Sequence, residues 1–299
     1  MKILLTGSSG QLGKQIIKSA PKEINLIVTT RKELDLSNSD KCFDFVDKYK
    51  PDWVINAGAY TLVNKAEEEP EIAFAINAAA PYAFAKALKL YGGNLLQIST
   101  DAVFNGKFGN PLMFQNKRSP INIYGASKAL GEENIEKVLG KSNMAVILRT
   151  SWLVGPEGRN FVLNILNKHK KNQSISVVAD QVGCLTSTLT LAEACWKVIK
   201  KHSSINQYIP GDVPILHWCD AGVTSWYDIA FAVGEISKNI GIINNPSKVF
   251  PITTEEFPSR AKRAKYSVLE CTITRNILAL PVINWRTSLK KVLEIHSEN

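Results

Sequence analysis

The chain has 299 residues, 45% hydrophobic and 21% charged, a composition that suits an ordinary globular core and excludes extended disorder. That length accommodates one large α/β domain and a smaller lobe. No stretch approaches 18 consecutive apolar residues, so no membrane span is expected, and the net charge of +9 is dispersed rather than gathered into a nucleic-acid-binding stripe.

Lys2–Thr6 predicts a first strand, an apolar run entering a glycine turn. An amphipathic helix is expected from Gln11 to Ser19, then a strand at Asn25–Thr29. Asn38–Tyr49 reads as a helix with Phe43, Val46 and Tyr49 on one face, and Trp53–Asn56 as the third strand. A helical region from Glu67 to Tyr91 is expected to break near Pro81, which lacks an amide hydrogen. Asn94–Ile98 is the fourth strand, a helix runs from about Ile121 to Leu139, and Met144–Arg149 is the fifth strand. Strands alternating with helices predict right-handed βαβ units and a Rossmann-type, doubly wound parallel sheet over residues 1–150. Beyond 150 the pattern loosens. Ser174–Ala179 reads as a strand and Leu189–Lys200 as a helix, both expected to complete the main sheet layer. Residues 203–224 read as irregular, Ser225–Asn239 as a helix and Val249–Ile252 as a strand. A basic loop with Arg260, Lys262, Arg263 and Lys265 follows. Residues 151–299 are therefore expected to form a discontinuous substrate-binding lobe facing the cofactor edge of the sheet.

The first turn, Gly7-Ser8-Ser9-Gly10-Gln11-Leu12-Gly13, has the spacing of a dinucleotide-binding motif. Gly7 permits a tight turn, Gly10 lets the backbone approach a pyrophosphate, and Gly13 lets helix pack on strand. The free amides of the helix start then face the phosphates. At the end of the second strand stand Thr29, Thr30 and Arg31. With no acid there to hold a ribose hydroxyl, NADPH is favoured and NADH stays open. Asp35 and Leu36 are placed to flank the adenine, and Ala59, Tyr60 and Thr61 to line the cofactor across the switch point.

Tyr124 and Lys128 form a YxxxK pair, which puts a phenol and an ammonium on one helix face. A nearby ammonium favours the phenolate and is expected to draw the tyrosine down from its usual value. Thr100 and Asp101 follow the fourth strand, at the carboxyl edge where ligands bind in parallel sheets. Thr100 can there hydrogen-bond a substrate carbonyl beside Tyr124. The five cysteines are odd in number, scattered and without a CxxC pair. Neither a disulfide framework nor a metal site is expected, and reduced thiols suit the cytoplasm.

Taken together, the glycine turn, Ser99-Thr100-Asp101, Tyr124 with Lys128, Arg149-Thr150-Ser151-Trp152, Gly158-Arg159-Asn160-Phe161 and Asp180-Gln181-Val182-Gly183 carry a resemblance over essentially the whole chain. The sequence resembles the extended short-chain dehydrogenase/reductases and, within them, the dTDP-4-dehydrorhamnose reductase family. That resemblance implies hydride delivery from NAD(P)H to C4 of a dTDP-linked keto sugar. It implies protonation by Tyr124, carbonyl polarisation by Thr100, and Lys128 holding the cofactor. Val63, Asp101, Trp152 and Asn160 are implied as substrate contacts. The implied partner is a nucleotide sugar, with no nucleic acid or membrane, and a homodimer is left open. The sequence departs from the family pattern at Ala102, where a tyrosine is usual, and at Asn105, where an aspartate is common. Ala102 leaves two alternatives standing, a reductase of another nucleotide-linked keto sugar and a non-catalytic subunit on the same fold. A dehydratase or epimerase fits less well. Ala102 replaces the glutamate of the dehydratases, and the acid after strand two typical of the epimerases is missing.

Overall fold

The computed structural model describes residues 1–107, 109–209 and 212–298. The first half runs β1 (Lys2–Thr6), α1 (Gln11–Lys18), β2 (Asn25–Val28), α2 (Ser39–Tyr49), β3 (Trp53–Asn56), α3 (Val63–Ala66) and α4 (Pro70–Phe74). A π-helical turn (Ala75–Ala79) leads into α5 (Ala80–Tyr91) and β4 (Asn94–Thr100). A 3-10 turn (Asp101–Val103), α6 (Ile123–Leu139) and β5 (Ala145–Thr150) follow. The second half runs β6 (Leu153–Val154), α7 (Phe161–Lys170), β7 (Ile175–Val178), β8 (Val182–Gly183), β9 (Thr186–Ser187), α8 (Thr188–Lys200), α9 (His202–Tyr208) and β10 (Ile215–His217). It ends with β11 (Thr224–Ser225), α10 (Trp226–Asn239), β12 (Val249–Ile252), α11 (Thr272–Leu278) and α12 (Trp285–Glu298).

Among the described residues the main sheet has six strands in the order β10-β5-β4-β3-β1-β2, every pair parallel. Both faces are covered, so the strands are apolar on both sides. Ile3 and Leu5 of β1 face α1 and α8, meeting Leu12, Ile16, Leu191 and Val198. Leu4 faces the opposite layer, where Val46, Phe84 and Ile135 come from α2, α5 and α6. The chain passes from β2 back across β1 to β3, so a crevice opens between the carboxyl ends of β1 and β3. A third core, with Val162, Leu166, Ile229, Val233 and Leu289, holds α7, α10 and α12 together as the smaller lobe.

Three local features differ from expectation. The helical stretch does not break at Pro81. It begins at Pro70, and the π turn at 75–79 widens the coil just ahead of the proline, which sits in the first turn of α5 where its missing amide costs least. The sixth strand of the main sheet is β10, from the segment expected to be irregular. Three residues suffice because β10 borders only β5, with Ile215 opposite Ile147 and His217 opposite Arg149. Strand β7, expected beside the main sheet, pairs instead with β12 inside the smaller lobe. Helix α8 does cover the main sheet. No helix among the described residues is long and apolar enough to cross a membrane.

Candidate active site

The glycine turn is built by close approach. Gly7 has φ +68, and a Cβ on it would overlap the backbone of Gly58, which follows β3. A Cβ on Gly13 would strike the carbonyl oxygen of Gly7, so α1 rests directly on the end of β1. The N-cap of α1, Gly10, has no side chain to satisfy the first amides, and the first turn carries no acid. Those amides and the dipole behind them form an anion site. Gln11 and Leu12 line the crevice there. The Oε1 of Gln11 accepts from Gly155 N at 3.0 Å and from Asn160 Nδ2 at 2.8 Å, tying the phosphate turn to the smaller lobe. The residues present therefore fit a dinucleotide diphosphate.

At the end of β2 the backbone amide and hydroxyl of Thr30 donate to Glu33 Oε2 at 2.8 and 2.9 Å. An acid thus stands near the strand end after all, folded back by a turn that the three-residue window Thr29–Arg31 does not reach. Arg31 is exposed, 3.9 Å from Asp35. The carboxyl of Asp35 is held below the usual carboxylate range by the amide and hydroxyl of Ser37. Leu36 packs beneath Gly58. Across the switch point Ala59, Tyr60 and Thr61 line the same crevice. The backbone of Tyr60 is pinned on both sides by Asn77 of the π turn, at 2.9 and 3.0 Å, and Asn77 also donates to Ser127 of α6 at 3.0 Å. The widened turn therefore aims a side chain that joins the crevice wall at Tyr60 to α6 at Ser127.

The crevice has a volume of about 840 Å³ and is lined by Thr100, Asp101, Tyr124 and Lys128 together with the glycine turn. Helix α6 begins at the cap Asn122, whose side chain accepts from Gly125 N at 2.7 Å. Thr100 Oγ1 accepts from Ala102 N at 3.1 Å, donates to Asp101 Oδ1 at 3.0 Å and lies within hydrogen-bonding reach of Tyr124. Burial pushes the Tyr124 phenol up to about 12 and the Asp101 carboxyl up to about 6, the latter opposed by a hydrogen bond from Ser267. Burial also brings the Lys128 ammonium down to about 8, and its Nζ donates to Ile98 O at 2.6 Å. The expectation that Lys128 draws Tyr124 down is thus corrected for this state. Desolvation governs the phenol, and among the facing charges Arg263 is the one that lowers it.

Val63 and Trp152 also line the crevice. Trp152 adopts φ +42, a strained conformation for a bulky residue. It is fixed by stacking on Trp226, with ring centroids 3.9 Å apart, while Phe161 meets Trp226 edge-on. Asn160 is placed differently from expectation. Its Oδ1 caps α7 at Leu163 N, its Nδ2 is shared between Gln11 and Gly155, and it is not among the crevice-lining residues. Sequence reasoning missed Gln181 and Ser267, which line the crevice from the smaller lobe. Gln181 stands in the Asp180–Gly183 motif, but its place at the crevice was not legible, because only the tertiary pairing of residues 182 and 266 brings the two residues there.

A model of the RmlD substrate binding domain family matches residues 1–297. The chain belongs to this family. The dTDP-4-dehydrorhamnose reductase of Aggregatibacter actinomycetemcomitans is 32% identical to it, over 97% of this chain and 98% of that one. Among solved structures, a dTDP-4-dehydrorhamnose reductase from Clostridium acetobutylicum superposes with a TM-score of 0.89 at 36% identity, covering 99% of this chain and all of that one. A Bacillus anthracis dTDP-4-dehydrorhamnose reductase solved in complex with NADP gives 0.87 at 33% identity, covering 98% of each chain. The family match runs over residues 1–297, and the crevice draws its lining from both halves of that span, from Gly7 to Ser267.

Proposed function

We propose that this protein is a cytoplasmic oxidoreductase that converts dTDP-4-dehydro-L-rhamnose to dTDP-L-rhamnose with NADPH, a step of nucleotide-sugar and polysaccharide biosynthesis. The observation that carries the reading is the convergence of Thr100, Tyr124 and Lys128 on one crevice that also holds the uncapped glycine turn. When bound, the dinucleotide supplies the hydride that adds to C4 of the sugar. The Thr100 hydroxyl polarises the C4 carbonyl, and the Tyr124 phenol, protonated at neutral pH, gives its proton to the nascent alkoxide oxygen. Lys128, whose Nζ donates to Ile98 O, would hold the ribose hydroxyls of the dinucleotide. Asp101, Val63 and Trp152 form the sugar's surroundings. Arg31 favours NADPH, while Glu33 beside Thr30 leaves room for NADH. The five buried thiols, all free, suit a reducing compartment.

The test is to mix the purified protein with dTDP-4-dehydrorhamnose and either NADPH or NADH, and to follow the loss of reduced-cofactor absorbance. Turnover with formation of the 4-hydroxy sugar, faster with NADPH, is expected. Binding of NADPH without turnover would remove the reading. A second keto sugar, linked to the same nucleotide, is included because Ala102 lines the sugar side of the crevice with only a methyl group.

A further inference from the structure

Behind the catalytic face of α6 lies a group of charges that the hydride transfer does not touch. Glu132 is buried one helical turn beyond Lys128, on the same side of the helix. Its Oε1 accepts from Ser99 Oγ at 2.5 Å and from Arg149 Nε at 2.9 Å. Its Oε2 accepts from Arg149 Nη2 at 2.6 Å and from Arg118 Nη1 at 3.0 Å. Ser99 directly precedes Thr100, and Arg149 is its cross-strand partner in β5. Arg149 is itself fixed, its guanidinium 4.9 Å from the Phe104 ring centroid and its Nη1 3.3 Å from Phe114 O.

A buried ion pair is a poor way to gain stability alone, since well-packed apolar residues often do as well. What a carboxylate adds here is direction and charge. It aims the hydroxyl next to Thr100, and it sets a negative charge beside Lys128 in a dry interior. We propose that Glu132 is a positioning residue for the reduction, one that couples the strand end carrying Thr100 to the helix carrying Tyr124 and Lys128 and steadies the Lys128 ammonium. The proposal rests on the reductase reading above.

The surroundings of Lys128 narrow the assignment. Tyr124 shares its helix, and Asp101 faces the crevice from the end of β4. Arg149 of β5 stands behind Glu132, and His217 of β10 is kept neutral by burial. Glu67, after α3, caps Ile123 N, while Arg118, Glu133 and Glu136 pair on the outer side. Arg263 reaches in from the smaller lobe toward Asp101 and Tyr124. Among these charges, Glu132 is the one that acts on Lys128, opposing the effect of burial.

The test measures Lys128 directly. The full chain is acetylated competitively with acetic anhydride across a pH series, and the Lys128 peptide is quantified by mass spectrometry beside NADPH-dependent turnover. Glu132→Gln is expected to move the Lys128 labelling midpoint down by about one pH unit, with the alkaline limb of kcat following. Ser99→Ala is expected to leave that midpoint in place and lower kcat about tenfold at little change in KM, because only the strand link is lost. Should Glu132→Gln not fold, Arg118→Met tests the charge from the other side, since a less neutralised Glu132 raises the midpoint. An unmoved midpoint in the charge variants, or wild-type kcat in Ser99→Ala, overturns the proposal. The labelling needs no substrate, so a shifted midpoint in a protein without turnover condemns the reductase reading alone.

Discussion

At the scale of single residues, burial reverses the electrostatics that a YxxxK pair suggests. The spacing of Tyr124 and Lys128 was legible because four residues make one helical turn. The loss of water around them was not, because it depends on elements as distant as the loop that carries Arg263. The result is a protonated phenol suited to donate a proton, beside an ammonium held near its titration range. Tyr124→Phe is expected to lower kcat roughly a hundred- to ten-thousand-fold while NADPH titrations show unchanged affinity. Lys128 has a second consequence. Its folded-state value of about 8 lies below that of a free lysine, so ionised Lys128 costs stability below pH 8, and the cost fades as pH rises toward the ordinary lysine range. Lys128→Met is therefore expected to be inactive yet more stable near neutral pH. Denaturant melts should show this gain shrinking above pH 8. A variant less stable than the parent at neutral pH would contradict the assignment.

At the scale of elements, glycines set how closely the catalytic pieces approach. A Cβ on Gly125 would overlap the carbonyl oxygen of Ala102, so α6 touches the turn that follows Thr100 directly. Gly125→Ala should push the helix away, with roughly 1–3 kcal/mol lost in melting experiments and a clear fall in kcat. Gly109→Ala is the control, since nothing lies within 4 Å of its added carbon, and it should behave as wild type. The alternation of strands and helices over the first half of the chain was readable from periodicity. β10 was not, because three residues beside Pro214 carry no period, and only their place against β5 makes them a strand. The π turn also left no periodic trace, yet it delivers Asn77 to Tyr60 and Ser127.

At the scale of the whole molecule, Gln11 and Asn160 join the cofactor turn to the smaller lobe. Both residues stand in recognisable motifs, but their meeting across the chain is a tertiary fact that no motif states. Asn160→Ala removes a helix cap and this tie together. It is expected to cost roughly 0.5–2 kcal/mol of stability. It should also raise KM for NADPH several-fold while leaving KM for the sugar nearly unchanged. A selective rise in the sugar's KM would instead return Asn160 to the substrate's side of the crevice.

The late arrival of β10 also shapes how the protein is made. Until residues 215–217 leave the ribosome, β5 presents an unpaired edge whose first four residues, Ala145 to Leu148, are apolar. The main sheet is therefore completed only after the first part of the smaller lobe has been synthesised.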